Sequence, residues 1–258
     1  TILKTSDAGT NWVAQTSGTT NHLCSIYFTD ADTGYAVGNL GIILKTSNAG
    51  VTWTAQTSGT TENLISVYFT NANMGYAVGY NGTILKTING GTNWTAQTSG
   101  TSTYLNSVYF TDANTGYVVG YAGTILKTIN GGANWSAQTS GITNPLFSVY
   151  FTDANTGYVV GSGLSNGIIL KTINSGTNWT SQTSGTTNYL SSVYFTDANT
   201  GYAVGEWGTI IKTLNGGANW TIQTSGTPNE LTSVYFTDAN TGYAIGIYGK
   251  ILKTTNGG

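Results

Sequence analysis

The chain is 258 residues long, 7% of them charged, with a formal net charge of -2, so no basic field is present to hold nucleic acid or an anionic membrane surface. All eight basic residues are Lys, and no apolar run approaches the roughly 18 residues needed to span a bilayer as a helix. Cys24 and His22 are single residues of their type, which excludes a disulfide framework, a CxxC site and a His-rich metal site. The sequence opens at Thr1 without a Met or a signal peptide and stops inside a repeated motif, and it reads as a mature or excised piece of a longer chain.

An internal repeat dominates everything else. ILKT, once IIKT, starts at Ile2, Ile43, Ile84, Ile125, Ile169, Ile210 and Ile251, so the spacing is 41 residues with one of 44. The three extra residues fall within Ser162 to Asn166, in a loop. The units run approximately 1–41, 42–82, 83–123, 124–167, 168–208 and 209–249, with a partial unit 250–258. In chain order each unit carries ILKT, an NGGxNW turn, a TAQTS segment, SVYF, a TDANTG turn and GYAVG. The four segments are rich in Thr, Val, Ile and aromatic residues and are bounded by Gly, Asn, Asp and Ser, the pattern of strands and turns. No stretch has helical periodicity. Four short strands every 41 residues predict an all-β propeller of four-stranded antiparallel blades, forming one domain over 1–258.

The turn after ILKT reads Asp7-Ala8-Gly9-Thr10-Asn11-Trp12 in the first unit and Asn89-Gly90-Gly91-Thr92-Asn93-Trp94 in the third. The carboxylate or amide binds its own turn backbone, Gly supplies positive φ, and Trp covers the hairpin. This resembles an Asp-box, so the repeats are similar to the BNR/Asp-box group of propellers, closest to the Ycf48-like (photosystem II assembly factor-like) repeats. The resemblance covers the whole chain and implies structural Asp-box residues at Asp7, Trp12, Asn48, Trp53, Asn89, Trp94, Asn130, Trp135, Asn174, Trp179, Asn215 and Trp220. It also sets the phase: SVYF is strand A, GYAVG strand B, ILKT strand C and TAQTS strand D. Counting strands then gives six blades, the ring closed by N- and C-terminal strands joining in one blade, with seven blades as the alternative.

Comparison of the units separates scaffold from candidate site. The A–B turn and the Asp-box turn barely change, whereas the D–A connection and the B–C loop do, and in a propeller these two emerge together on one face. Candidate ligand-binding residues there are Tyr80, Tyr121, Glu206, Trp207 and Tyr248 in B–C loops, and Tyr104, Tyr189 and Glu230 in D–A connections. Aromatic rings among short polar residues stack on sugars or anchor protein partners, and loops on a rigid scaffold are where function concentrates. The plain alternative is drift at unconstrained positions. Trp207 stands out as the one Trp outside the Asp-boxes.

Other chemistry finds little support. TDANTG begins like a calcium loop but lacks the third ligand and the distal Glu, and Asn71 replaces Asp in the second unit, so a side-chain-capped turn explains it better. The absence of Arg removes the sialidase reading, which needs Arg to hold a substrate carboxylate. Glu206 and Glu230 lie in neighbouring units, so a carboxylate pair for glycoside hydrolysis is geometrically open, yet solvated loop carboxylates are far commoner and no catalytic residue is assigned. The seven ILKT lysines read as blade-packing residues. His22 and Cys24 lack a third partner for nucleophilic catalysis. Four NWT or NWS triplets match the glycosylation sequon through the demands of the turn itself.

These readings lead to a non-enzymatic binding or display module of a secreted or cell-surface bacterial protein, taking a glycan or a protein partner on the D–A and B–C face. No metal or cofactor, no nucleic acid and no direct membrane insertion are expected. The first alternative is an assembly factor docking on membrane protein complexes, in the periplasm or thylakoid lumen, as the Ycf48-like resemblance implies. The second is a glycoside hydrolase.

Overall fold

The chain folds as an all-β six-blade propeller, with four-stranded antiparallel sheets as its blades. The computed structural model describes residues 1–258. Every anticipated strand forms. β1 (Ile2–Lys4) and β2 (Val13–Gln15) make a two-stranded sheet. The first complete blade is β3 (Leu23–Phe28), β4 (Gly34–Gly38), β5 (Ile43–Thr46) and β6 (Thr54–Gln56). The second is β7 (Leu64–Phe69), β8 (Gly75–Gly79), β9 (Ile84–Thr87) and β10 (Thr95–Gln97), and the third β11 (Leu105–Phe110), β12 (Gly116–Gly120), β13 (Ile125–Thr128) and β14 (Ser136–Gln138). The fourth comprises β15 (Leu146–Phe151), β16 (Gly157–Ser162), β17 (Gly167–Thr172) and β18 (Thr180–Gln182). The fifth comprises β19 (Leu190–Phe195), β20 (Gly201–Gly205), β21 (Ile210–Thr213) and β22 (Thr221–Gln223). β23 (Leu231–Phe236), β24 (Gly242–Gly246) and β25 (Lys250–Thr254) make a three-stranded sheet.

The ends of the chain differ from expectation in one respect. The blade expected from strands of both termini exists as two separate sheets, β1–β2 and β23–β24–β25. The reason lies in the sequence: β25 repeats ILKT and takes the third place beside β24, with Gly242 opposite Thr254 and Ile245 opposite Ile251.

By packing, the chain divides into two units, residues 1–118 with 126–136 and residues 119–125 with 137–258. In the first, Tyr35, Val37, Leu64, Val67, Phe69, Leu85 and Trp94 form one buried cluster. In the second, Tyr158, Val160, Leu190, Val193, Phe195, Ile211 and Trp220 form its counterpart. The geometry within a blade explains the spelling of the repeat. In β7, Leu64, Val67 and Phe69 are buried, and a bulge between Leu64 and Ser66 brings Val67 and Phe69 into phase with Leu64. Phe69 meets Trp94 edge-on at 6.0 Å and stacks on Tyr35 of the preceding blade at 4.0 Å. A Cβ at Gly75 would meet the Phe69 ring at 2.5 Å, which is why Gly precedes Tyr in GYAVG.

Blades within a unit are stitched through one carbonyl. The hydroxyl of Tyr35 donates to the Gly90 carbonyl at 2.9 Å, and the Lys45 ammonium donates to the same oxygen at 2.7 Å. Tyr76 and Lys86 do the same at Gly131, and Tyr158 and Lys171 at Gly216. Each ammonium also lies 5.4 to 5.8 Å from the ring of its tyrosine. Burial pushes the Tyr76 and Tyr158 hydroxyls up to about 12, so they remain donors. The repeated lysines are thus packing residues, as their repetition suggests.

Candidate functional site

The A–B and C–D turns are closed on themselves. Asp112 Oδ1 accepts the amides of Asn114 and Thr115 at 2.7 and 2.9 Å, and Asn71 accepts the equivalent pair at 2.9 Å each. An amide serves as well as a carboxylate there, as an Asx-type turn requires. In the Asp-boxes, Asn89 Oδ1 accepts the Thr87 hydroxyl and the Asn93 amide at 3.0 Å each. Asp7 adds a bond from the Asn11 side chain at 2.7 Å, and the Asn11 amide, that side chain and the Thr5 hydroxyl lower its carboxyl to about 2. Asn48, Asn130, Asn174 and Asn215 make the same backbone bond as Asn89. Trp53, Trp94, Trp135, Trp179 and Trp220 bury indole N–H groups that make no hydrogen bond, so these rings act by shape and apolar contact. Trp12 is partly exposed on the two-stranded sheet.

The loop side is constructed differently. Five of the six B–C loops, all but the longer one of the fourth blade, turn through two successive left-handed residues, of which the first is not glycine: Leu40, Asn81, Ala122, Trp207 and Tyr248 have φ of 52 to 57°. The second is glycine because the next connection presses against it; a Cβ on Gly82 would collide with the Thr101 carbonyl. Amides at the start of these loops bond back to the D–A connection of the same blade, Tyr80 to Asn63 O at 2.9 Å and Glu206 to Tyr189 O at 3.1 Å. Both variable segments therefore form one laced surface on each blade. A left-handed Trp or Tyr is costly, and here it drives the side chain outward: Trp207 is 68% and Tyr248 89% exposed.

The structure joins some of the candidate residues and separates others. In the first unit, Tyr80 and Tyr104 stack at 4.1 Å, nearly parallel. In the second, Phe147 lies edge-on between Tyr121 and Tyr189, at 6.3 and 6.0 Å. Tyr189 is pushed up to about 12, chiefly by burial and further by the negative charges of Glu230 and Glu206. Trp207 follows Glu206 at the loop tip, and Tyr248 stands at the tip of the next loop. Phe147 was not anticipated. Its signal was the residue between Leu and Ser of the first strand, which varies through Cys24, Ile65, Asn106, Phe147, Ser191 and Thr232 inside an otherwise constant strand.

The remaining reactive candidates are quiet. Cys24 Sγ lies 3.6 Å from His22 Nδ1 and 3.8 Å from Asn39 Oδ1, and burial raises its thiol above the ordinary value, away from a reactive thiolate.

A sequence model described as Photosynthesis system II assembly factor YCF48 matches residues 46–137 and 93–184, together more than half of the chain. The chain belongs to the YCF48 family. Similar solved structures include YCF48 bound to D1 peptide, 20% identical with a TM-score of 0.76 over 93% of this chain and 80% of that one. YCF48 from Cyanidioschyzon merolae is 19% identical, TM-score 0.72, over 92% and 83%. The GH74 enzyme of Niastella koreensis is 18% identical, TM-score 0.73, over 91% of this chain but 45% of that one. At these identities the likeness shows the shared propeller fold. No curated protein matches the chain. No helix is long and apolar enough to cross a membrane.

Proposed function

We propose that this YCF48-family chain is a non-enzymatic assembly factor that binds an extended peptide segment of a protein partner on its B–C and D–A loops. The observation that carries the reading is the cluster of the second unit. Tyr121, Phe147 and Tyr189 form an aromatic floor, Glu206 and Glu230 bring negative charge to Tyr189, and Trp207 is held outward by a left-handed backbone. Strained residues of this kind cluster at binding sites, and exposed Trp and Tyr are the usual anchors of interfaces. The carboxylates suit a segment with a Lys or Arg beside an apolar residue, the cation resting on the indole face. The solved YCF48 bound to D1 peptide supports a peptide as ligand class. The stacking of Tyr80 on Tyr104 turns one ring face of each inward, leaving less open aromatic surface for a sugar than the sequence suggested.

Fluorescence anisotropy with a labelled D1 peptide tests the proposal. Saturable binding should weaken about 30-fold in Trp207→Ala, the loss of a hot spot worth about 2 kcal/mol. An unaffected affinity, or no binding by a folded protein, overturns it. A glycan-array signal abolished by the same substitution would replace it with a lectin-like function.

A further inference from the structure

The fourth blade departs from the repeat three times along one edge. The first strands β3, β7, β15, β19 and β23 each carry a bulge just after their Leu, and a bulge re-aims the side chain it carries. In β15 the bulged residue is Phe147, the one aromatic at that position, and its ring lies between Tyr121 and Tyr189. The residue before that Leu is Pro145, whose carbonyl accepts the Ser162 amide at 3.0 Å. The third departure is the longer B–C connection. Pairing of β20 with β21 ends at Val204 and Ile210, whereas β16 and β17 continue through Gly161 opposite Ile168 and Ser162 opposite Gly167. The Gly163 amide then donates to the Asn166 carbonyl at 2.9 Å, closing a turn with Leu164 and Ser165 at its tip. The Gly167 amide donates to the Thr186 carbonyl at 3.1 Å, which fastens the hairpin base to the connection that carries Tyr189. Each added pair raises the hairpin by about 3 Å. Gly163, Ser165 and Asn166 are ordinary turn residues; Leu164 is not, and it is fully exposed.

We propose that Leu164 is a specificity-determining residue of the loop cluster, selecting peptide segments whose apolar side chain, aliphatic or aromatic, lies on Phe147 and is covered by Leu164. The inference rests on the peptide-binding reading above and adds to it the place where the apolar residue of the segment goes. What every blade shares is what the scaffold needs. The bulged Phe and the inserted hairpin are shared by no other blade, yet they adjoin on β15 and β16 and are tied by backbone bonds to the connections on either side. The hairpin base is therefore fixed, and its tip holds one apolar side chain in water beside an aromatic floor. An anchor held in this way loses little freedom on binding, and the surface that Leu164 leaves in water is gained on contact. A charged or polar residue in the same place would lose its water without a partner, which makes the slot selective.

The test titrates the labelled D1 peptide against the whole chain by fluorescence anisotropy. Leu164→Ser should weaken binding about tenfold, the lower end of what a Leu gains by leaving water. Leu164→Met, a swap that conserves volume and apolarity, should stay within about twofold of the parent. Deletion of residues 163–165 restores the 41-residue spacing and leaves Ser162, Asn166 and Gly167 in the loop, with Asn where Asn81 is left-handed in the second blade. That variant should keep the parent's melting temperature and bind as weakly as Leu164→Ser. Parent-like affinity in both Leu164→Ser and the deletion overturns the inference and leaves peptide binding by the cluster standing. An equal loss in Leu164→Met overturns it too, by assigning the effect to the hairpin's conformation and not to its apolar tip. No binding by the folded parent chain removes the peptide reading itself, and this inference with it.

Discussion

On the A–B and C–D turns, one set of hydrogen bonds recurs from blade to blade: Asp112, Asp153, Asp197 and Asp238 each accept two turn amides, and Asn71 does so without a charge. On the B–C and D–A loops the backbone also recurs, with the same bond between the two segments and, outside the fourth blade, the same left-handed pair, but the side chains do not. Leu40, Asn81, Ala122, Trp207 and Tyr248 occupy equivalent positions. Recurrence of side chains marks what the scaffold needs. A fixed backbone with changing side chains marks a surface that can be specialised without disturbing the scaffold, and it concentrates large aromatics and all three glutamates.

The comparison breaks most visibly at an Asp-box Trp. Trp94→Ala should cost about 3–5 kcal/mol, the usual range for a buried Trp, lowering the melting temperature by roughly 6–20 °C. Trp94→Phe should cost less than half of that, because the indole N–H makes no hydrogen bond to lose; equal losses would mean that the N–H contributes. Next comes the stitching carbonyl. Tyr76→Phe removes one of two donors to the Gly131 oxygen and should cost about 1 kcal/mol by denaturant unfolding. On the loop side the sign reverses. Trp207→Gly relieves a left-handed conformation that costs about 1–2 kcal/mol for an L-residue, partly offset by the entropy of an unfolded Gly of about 0.5–1 kcal/mol. Stability should hold or rise slightly while peptide binding is lost; a clear drop in stability would make Trp207 a packing residue.

The smallest effect is on acid sensitivity. Asp7 is lowered to about 2 by the Asn11 amide, the Asn11 side chain and the Thr5 hydroxyl. Backbone amides likewise lower Asp30, Asp197 and Asp238. A depressed folded-state carboxyl contributes stability above its unfolded value near 4 and loses it as pH falls through the folded value. Thermal stability should therefore decline between pH 4 and 2, and Asp7→Asn should flatten that decline, since Asn already serves in the other boxes. An unchanged slope would show that Asp7 contributes nothing to it.

Much of this was legible in the sequence because the repeat shows each scaffold residue several times. ILKT spacing sets the strands, and the Lys that recurs in every unit foretells a packing role. What the sequence hid is what occurs once. Phe147 sits at a strand position, outside the variable loops, and only the structure places it between Tyr121 and Tyr189. The stack of Tyr80 on Tyr104 joins residues 24 apart in different loops, a contact that no local pattern encodes.

The most direct test sets the two sides against each other in one binding experiment. The labelled D1 peptide would be titrated against the parent chain, a loop variant with Tyr121, Trp207 and Tyr248 changed to Ala, and a turn-side variant with the exposed Ile129, Ile173 and Leu214 changed to Ser. The account predicts at least a 30-fold weaker affinity for the folded loop variant and a change within twofold for the turn-side variant. Loss of binding in the turn-side variant with the loop variant unaffected would contradict it.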